Sequence, residues 1–202
     1  MNEEYYEKLL NINTQGNKSE INHSIHYHPY EPTPYLALEE LFKHYEVRPN
    51  DHIVDFGCGK GRLNFYLNHI FQVHVAGIEM NKTFFQSALK NRERYLKKAS
   101  STSETIQFHC CLAELYEIQP DDNRFYFFNP FSLQIFMKVL NNILISVENH
   151  KREVDLIFYY ASDDYTYFLG QHSRFELIKE VPLPNLYVKN AYERFLIYRL
   201  TV

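Results

Sequence analysis

The sequence predicts an α/β fold, a doubly wound and mostly parallel sheet of seven strands with an antiparallel C-terminal hairpin. Three observations predict it. Strand-like apolar runs alternate with helical periodicities through residue 160. A glycine-rich stretch stands where the first of those strands gives way to a helix. Two last strand-like runs, near 174–181 and 191–200, have no clear helix between them. Alternation of this kind builds βαβ units and a parallel sheet, while neighbouring strands without a crossover helix pair antiparallel.

The elements follow in order. Residues 1–30 are polar and irregular and read as a partly ordered N-terminal lead, leaving 31–202 as a single domain. Thr33-Pro34 has the form of a helix start, a capping hydroxyl followed by Pro at the first helical position. Leu38, Leu41, Phe42 and Tyr45 then fall on one helical face. A strand at 52–56 runs into Gly57-Cys58-Gly59-Lys60-Gly61, and the next helix carries Leu63, Tyr66, Leu67 and Ile70. The second strand covers 73–79, and Asn81 is placed to cap the helix after it. Strands follow near 105–110 and 124–128. Ser132 has the capping position of a long amphipathic helix through Val147, and a fifth strand covers 154–160.

Composition bounds the function. Charged residues make up 23% of the 202 and hydrophobic ones 45%, the proportions of a globular protein. The 17 Tyr and 16 Phe, with no Trp, suit apolar walls with polar tips. A formal net charge of −4 does not point to nucleic acid, and the one short basic run, Lys90 to Lys98, reads as the solvated end of a helix. Cys58, Cys110 and Cys111 offer no CxxC spacing, which argues against a disulfide scaffold or a zinc knuckle. His23, His26 and His28 match no metal signature, so no metal is expected. The start has no signal-peptide pattern and no run is long enough to span a bilayer, so the expectation is a cytoplasmic protein, a monomer by default.

The glycine stretch carries the chemistry. Glycines after a strand let the backbone turn tightly and approach a ligand where a Cβ would clash. The dinucleotide pattern GxGxxG would put its third glycine at position 62; here Gly61 comes one residue early and Arg62 stands in its place. Asp55 lies two residues before Gly57, where a carboxylate suits an ammonium group better than a diphosphate. Glu79 ends the second strand, 22 residues after Gly57, where a carboxylate can accept from both hydroxyls of a ribose.

VDFGCGKG followed by GIEMN resembles the first two motifs of the class I S-adenosylmethionine (SAM)-dependent methyltransferases, over roughly residues 30–160. The resemblance implies the Rossmann-like sheet of that family and SAM as cofactor. It implies that Gly57, Cys58, Gly59 and Gly61 line the methionine part of SAM, that Asp55 meets its amino group, that Glu79 holds the ribose and that Met80 lies near the adenine. Many members carry an acid after the third strand for the adenine amino group; here the stretch reads Cys110-Cys111-Leu112-Ala113-Glu114, and Glu114 is the candidate.

On the acceptor side, Asn129-Pro130-Phe131 partly resembles the NPPY/NPPF motif of amino-methyltransferases, with Phe131 where the second Pro would stand. Tyr30-Glu31-Pro32-Thr33, Asp55 to Arg62 and Phe127-Phe128-Asn129-Pro130-Phe131 more closely resemble small bacterial proteins distantly related to the Dot1-type lysine methyltransferases. This makes Asn129 and Tyr30 the candidate catalytic residues and Phe131, Tyr159 and Tyr160 the candidate acceptor pocket, with Asn129 also touching the cofactor. The expected function is methyl transfer from SAM to an unidentified protein or small molecule. Three alternatives stay open at this point: a SAM-binding protein without catalysis, a nucleic-acid amino-methyltransferase, and an NAD-dependent oxidoreductase.

Overall fold

In the computed structural model, which describes residues 3–16, 30–99 and 104–201, the chain forms one seven-stranded sheet with helices on both faces. Helices α1 (Glu3–Leu10) and α2 (Tyr35–His44) precede β1 (His52–Phe56). There follow α3 (Arg62–Phe71), β2 (His74–Ile78), α4 (Lys82–Leu96) and β3 (Ile106–His109). A single 3-10 turn at Ala113–Leu115 leads to β4 (Asp122–Phe128), α5 (Leu133–Asn149) and β5 (Asp155–Tyr159). Then come α6 (Asp163–Gln171), β6 (Phe175–Pro182) and β7 (Arg194–Leu200).

The strand order is β3-β2-β1-β4-β5-β7-β6, parallel from β3 to β5 and antiparallel for β7 against both β5 and β6. The order reverses between β1 and β4, and a crevice for ligand opens at such a reversal, outside the carboxyl ends of the strands. Alternating side chains feed two cores. One lies under α1 to α4 and includes Tyr6, Leu38, Phe65 and Val75; the other lies under α5 and α6 and includes Phe56, Phe127, Phe136 and Phe158.

Four local readings change. The N-terminal lead contains α1, whose Tyr6 and Leu10 are buried together with Ile12 after it. Its helical face is short and interrupted by Glu7, which is buried for a polar reason given below, so periodicity alone hides it. The N-cap of α2 is Pro34 without a side-chain bond, because the Thr33 hydroxyl pairs with the Tyr126 hydroxyl at 2.7 Å instead. Ser132 stands at the N-cap of α5 but makes no side-chain cap bond, its hydroxyl pairing with Gln134. Helix α6, capped by Ser162, sits in what reads as irregular tail between the fifth and sixth strands. Asn81 caps α4 as expected, accepting from the backbone N–H of Thr83 and Phe84.

Candidate active site

Gly57, Gly59 and Gly61 all hold positive φ, at 80°, 56° and 87°. Such backbone is favourable only to glycine. The close neighbours reinforce the requirement. A Cβ on Gly59 would lie 2.0 Å from the Tyr30 ring, and one on Gly57 would lie 2.8 Å from Pro130 Cβ. The second contact matters most for the architecture, because it joins the loop after β1 to the Asn129-Pro130 loop after β4 across the reversal in strand order.

Glu79 is oriented by the loop. One carboxylate oxygen accepts from the Gly59 N–H at 2.9 Å and the other from the Asn81 N–H at 2.7 Å. Each carboxylate oxygen has a further lone pair, so the group is fixed in place with acceptor capacity to spare. Asp55 lies beside it, only 5% exposed. Burial first, and the charge of Glu79 second, push its pKa up to about 8. Glu79 is also raised by burial, partly offset by backbone N–H donors including those of Asn81 and Gly59. Two buried carboxylates that repel each other make a site complementary to a cation.

The other half of the crevice is aromatic. Phe128 at the end of β4 lies 4.6 Å from Tyr159 and 6.5 Å from Tyr160, centroid to centroid, and Tyr160 lies 5.4 Å from Tyr192. Acids surround these rings: the Tyr159 hydroxyl donates to Glu193, and the Tyr192 hydroxyl donates to Asp163 at 2.8 Å. Asn129 and Tyr160, at the ends of the two neighbouring strands, hold φ of 39° and 54°. Non-glycine residues in that region store strain, which is concentrated where function fixes the backbone. Tyr160 is held there by Asn190, whose amide donates to its hydroxyl at 2.7 Å.

Residues 35–120 match a family described as a methyltransferase domain. A protein-lysine N-methyltransferase of Saccharolobus islandicus is 34% identical over 67 residues, 33% of this chain and 42% of the relative; the chain thus spans less than half the length of that relative. Among solved structures, an RNA methyltransferase of Salinibacter ruber bound to S-adenosyl-L-homocysteine (SAH) shares the fold at a TM-score of 0.59 and 17% identity, over 85% of this chain and 94% of that one. The [4+2]-cyclase SpnF shares it at 0.60 and 14% identity, over 89% of this chain and 88% of that one. The fold is that of the class I SAM-dependent methyltransferases, and the cyclase shows that the reaction must be argued from the site rather than the fold.

Around the glycine loop, the structure gathers some of the sequence candidates and disperses others. Asp55 and the Gly59 N–H face Glu79, and Gly57 abuts Pro130 beside Asn129, while Gly61 packs on Phe65 and Phe108. Met80 follows Glu79 and is half-buried. Cys58 sits in the loop, but its thiol packs against Gly77, where a Cβ would lie 2.7 Å from Sγ, and burial pushes its pKa well up, so only its backbone faces the loop. Glu114 turns toward α5, 3.9 Å from Lys138 Nζ, rather than toward the glycine loop.

Two acceptor-side expectations are corrected. The Phe131 ring is 1% exposed in the core under α5 and α6, and its carbonyl accepts from Tyr165, so it supports the Asn129-Pro130 turn from beneath instead of lining a pocket. Tyr30 covers Gly59 with its ring, but its hydroxyl donates to the Thr14 carbonyl at 2.6 Å and burial raises its pKa, which removes it as a general base. Tyr159 is 2% exposed and gives its ring face to Phe195 and Phe128, so Tyr160 is the more open of the two tyrosines. Tyr192, Glu193 and Asn190 escape sequence reasoning because they arrive from the connection between the last two strands, where nothing in the local pattern marks them. His23, His26 and His28 lie outside the described residues. Among the described residues, no three metal-ligating side chains group together and no helix is long and apolar enough to cross a membrane.

Proposed function

We propose that the protein transfers a methyl group from SAM to the side-chain amine of a protein lysine. The single observation that carries the cofactor half is the buried acid pair beside the glycine loop. Among the described residues no cation pairs with Asp55, and burial first and the charge of Glu79 second push its pKa up to about 8. The residues fit SAM. Asp55 would hold the ammonium of its methionine part, the spare lone pairs of Glu79 would take the ribose hydroxyls, and the positive-φ turn of Gly57, Gly59 and Gly61 would present backbone to the sulfonium chain. When bound, SAM supplies a methyl group already activated on a sulfonium.

The acceptor half rests on the aromatic and acidic wall. Rings of Phe128, Tyr160 and Tyr192 attract a cationic amine through their faces, and the nearby carboxylates of Asp163 and Glu193 add to that attraction. The Saccharolobus relative acts on protein lysine, which agrees with such a wall. Methyl transfer then needs alignment and exclusion of water more than a catalytic dyad. Tyr30 shields the glycine loop, and the strained Asn129-Pro130 turn sets the face from which the acceptor approaches. Tyr30 and Tyr159 are committed as donors to Thr14 and Glu193, so neither takes the proton of the amine. The reaction therefore follows the neutral fraction of the acceptor, and kcat/KM rises with pH toward the amine pKa of about 10.4.

The test is incubation of the protein with methyl-labelled SAM and, separately, a lysine-rich protein, the same protein with acetylated lysines, and RNA. Label in the first alone, mapped to lysine by mass spectrometry, is expected. Label in RNA, or equal label after acetylation, contradicts the lysine assignment.

A further inference from the structure

Arg62 is used in a way the glycine motif does not require. It is the first residue of α3, 5% exposed, with a cation at the helix N-terminus where the helix dipole disfavours one. Burial there is costly unless the guanidinium is fully paired. Among the described residues its partners lie between Glu3 and Tyr35. Nε donates to the Thr14 hydroxyl at 2.8 Å; one terminal nitrogen donates to Glu3 and, at 3.2 Å, to the Thr33 carbonyl; the other lies 3.5 Å from Glu7. The guanidinium also stacks 4.5 Å from the Tyr35 ring centroid.

These partners are themselves tied to the crevice. Glu7 accepts from the Thr14 N–H, the Thr14 hydroxyl and the Tyr35 hydroxyl, which explains its burial. Glu3 accepts from the Tyr35 N–H at the start of α2. The Thr14 carbonyl receives the Tyr30 hydroxyl, and the Tyr30 ring lies on Gly59. The Thr33 hydroxyl reaches Tyr126 on β4. A chain of direct contacts thus runs from the glycine loop through Arg62 into residues 3–14 and back to the loop through Tyr30.

We propose that Arg62 is a positioning residue for the cofactor, a peg that holds the N-terminal segment so that Tyr30 closes over the glycine loop. Docking of residues 3–16 and binding of SAM or SAH then favour each other. Lysine does not replace it, since one ammonium on a flexible stem lacks the fork that reaches Glu3, Thr14 and Thr33 together. The proposal rests on the SAM reading of the site.

The experiment measures SAH affinity by calorimetry for the wild type, Arg62→Lys and Tyr30→Phe, with thermal midpoints and backbone amide exchange of residues 3–16 with and without SAH. Arg62→Lys is expected to bind SAH at least tenfold more weakly, and Tyr30→Phe about threefold more weakly with little change in midpoint. SAH is expected to slow exchange in residues 3–16 of the wild type and to do so less in Arg62→Lys. A folded Arg62→Lys that binds SAH within twofold of wild type, or wild-type exchange in 3–16 that ignores SAH, overturns the proposal. If Arg62→Lys does not fold, Tyr30→Phe decides: unchanged affinity overturns it. If the wild type binds no SAH, the cofactor reading is what fails, and the peg is judged on exchange alone. Faster exchange of residues 3–16 in ligand-free Arg62→Lys then supports it and unchanged exchange overturns it.

Discussion

The two halves of the crevice are made of different material. At the ends of β1 and β2, the site is backbone geometry plus two carboxylates, all within residues 55–79. At the ends of β4 and β5, it is a set of rings whose positions are fixed by Asn190, Tyr192 and Glu193, brought from the far end of the chain. The first half is a local solution to a fixed problem, since positive φ and close approach leave only glycine, and an ammonium wants an acid. The second is a tertiary solution that many residue combinations could satisfy. Substitutions in the first half should therefore change cofactor affinity, and substitutions in the second should change acceptor use while leaving the cofactor alone.

The sharpest break is Glu79→Ala. It removes the ribose acceptor and also strands the Gly59 and Asn81 N–H groups, so SAH affinity should fall by about 3 kcal/mol or more, over a hundredfold. A loss of less than fivefold in calorimetry would separate Glu79 from the ligand.

Asp55→Asn should split stability from binding. The folded pKa, about 8, lies above the ordinary carboxylate value. Because the unfolded chain ionises Asp55 first while the folded chain holds the proton, the raised pKa costs stability increasingly as pH rises from the ordinary carboxylate range to about 8, and the cost is absent at low pH. Thermal melts should show the variant a few degrees more stable than wild type at pH 8.5, with little difference near pH 4. The same variant should bind SAH tenfold or more weakly. In the wild type, an arriving ammonium must displace that proton, so SAH affinity should rise between pH 6 and 8; a flat profile would mean Asp55 does not meet the ammonium.

Tyr160→Ala belongs to the other half. Loss of a ring facing a cation is worth about 1–2 kcal/mol, so acceptor kcat/KM should drop roughly tenfold while SAH affinity stays within twofold. Equal losses of both would erase the distinction between the halves. The smallest expected effect is structural: Asn81→Ala removes the cap of α4 and should cost about 1 kcal/mol in denaturant unfolding.

The same contrast explains what was legible in the sequence. The parallel sheet and its antiparallel edge follow from alternation of strand and helix periods, which depends on neighbours in sequence. So does the cofactor half of the candidate site, from Asp55 to Glu79. Helix α1 is hidden because its register is broken by Glu7, a residue buried because Thr14, Tyr35 and Arg62 supply its partners from elsewhere in the chain. Phe131 was placed in the pocket because sequence position cannot say to which side of the sheet a turn sends its ring. Tyr30 is a candidate through the Tyr30-Glu31-Pro32-Thr33 resemblance, and a motif does not carry the partner of its hydroxyl, the Thr14 carbonyl.

The most direct test of the central claim is calorimetric titration of the full chain with SAH and with NAD at pH 8. Micromolar binding of SAH, with no heat from NAD, is the expected result. No binding of SAH, or tighter binding of NAD, would contradict the assignment of the acid pair and glycine loop to S-adenosylmethionine.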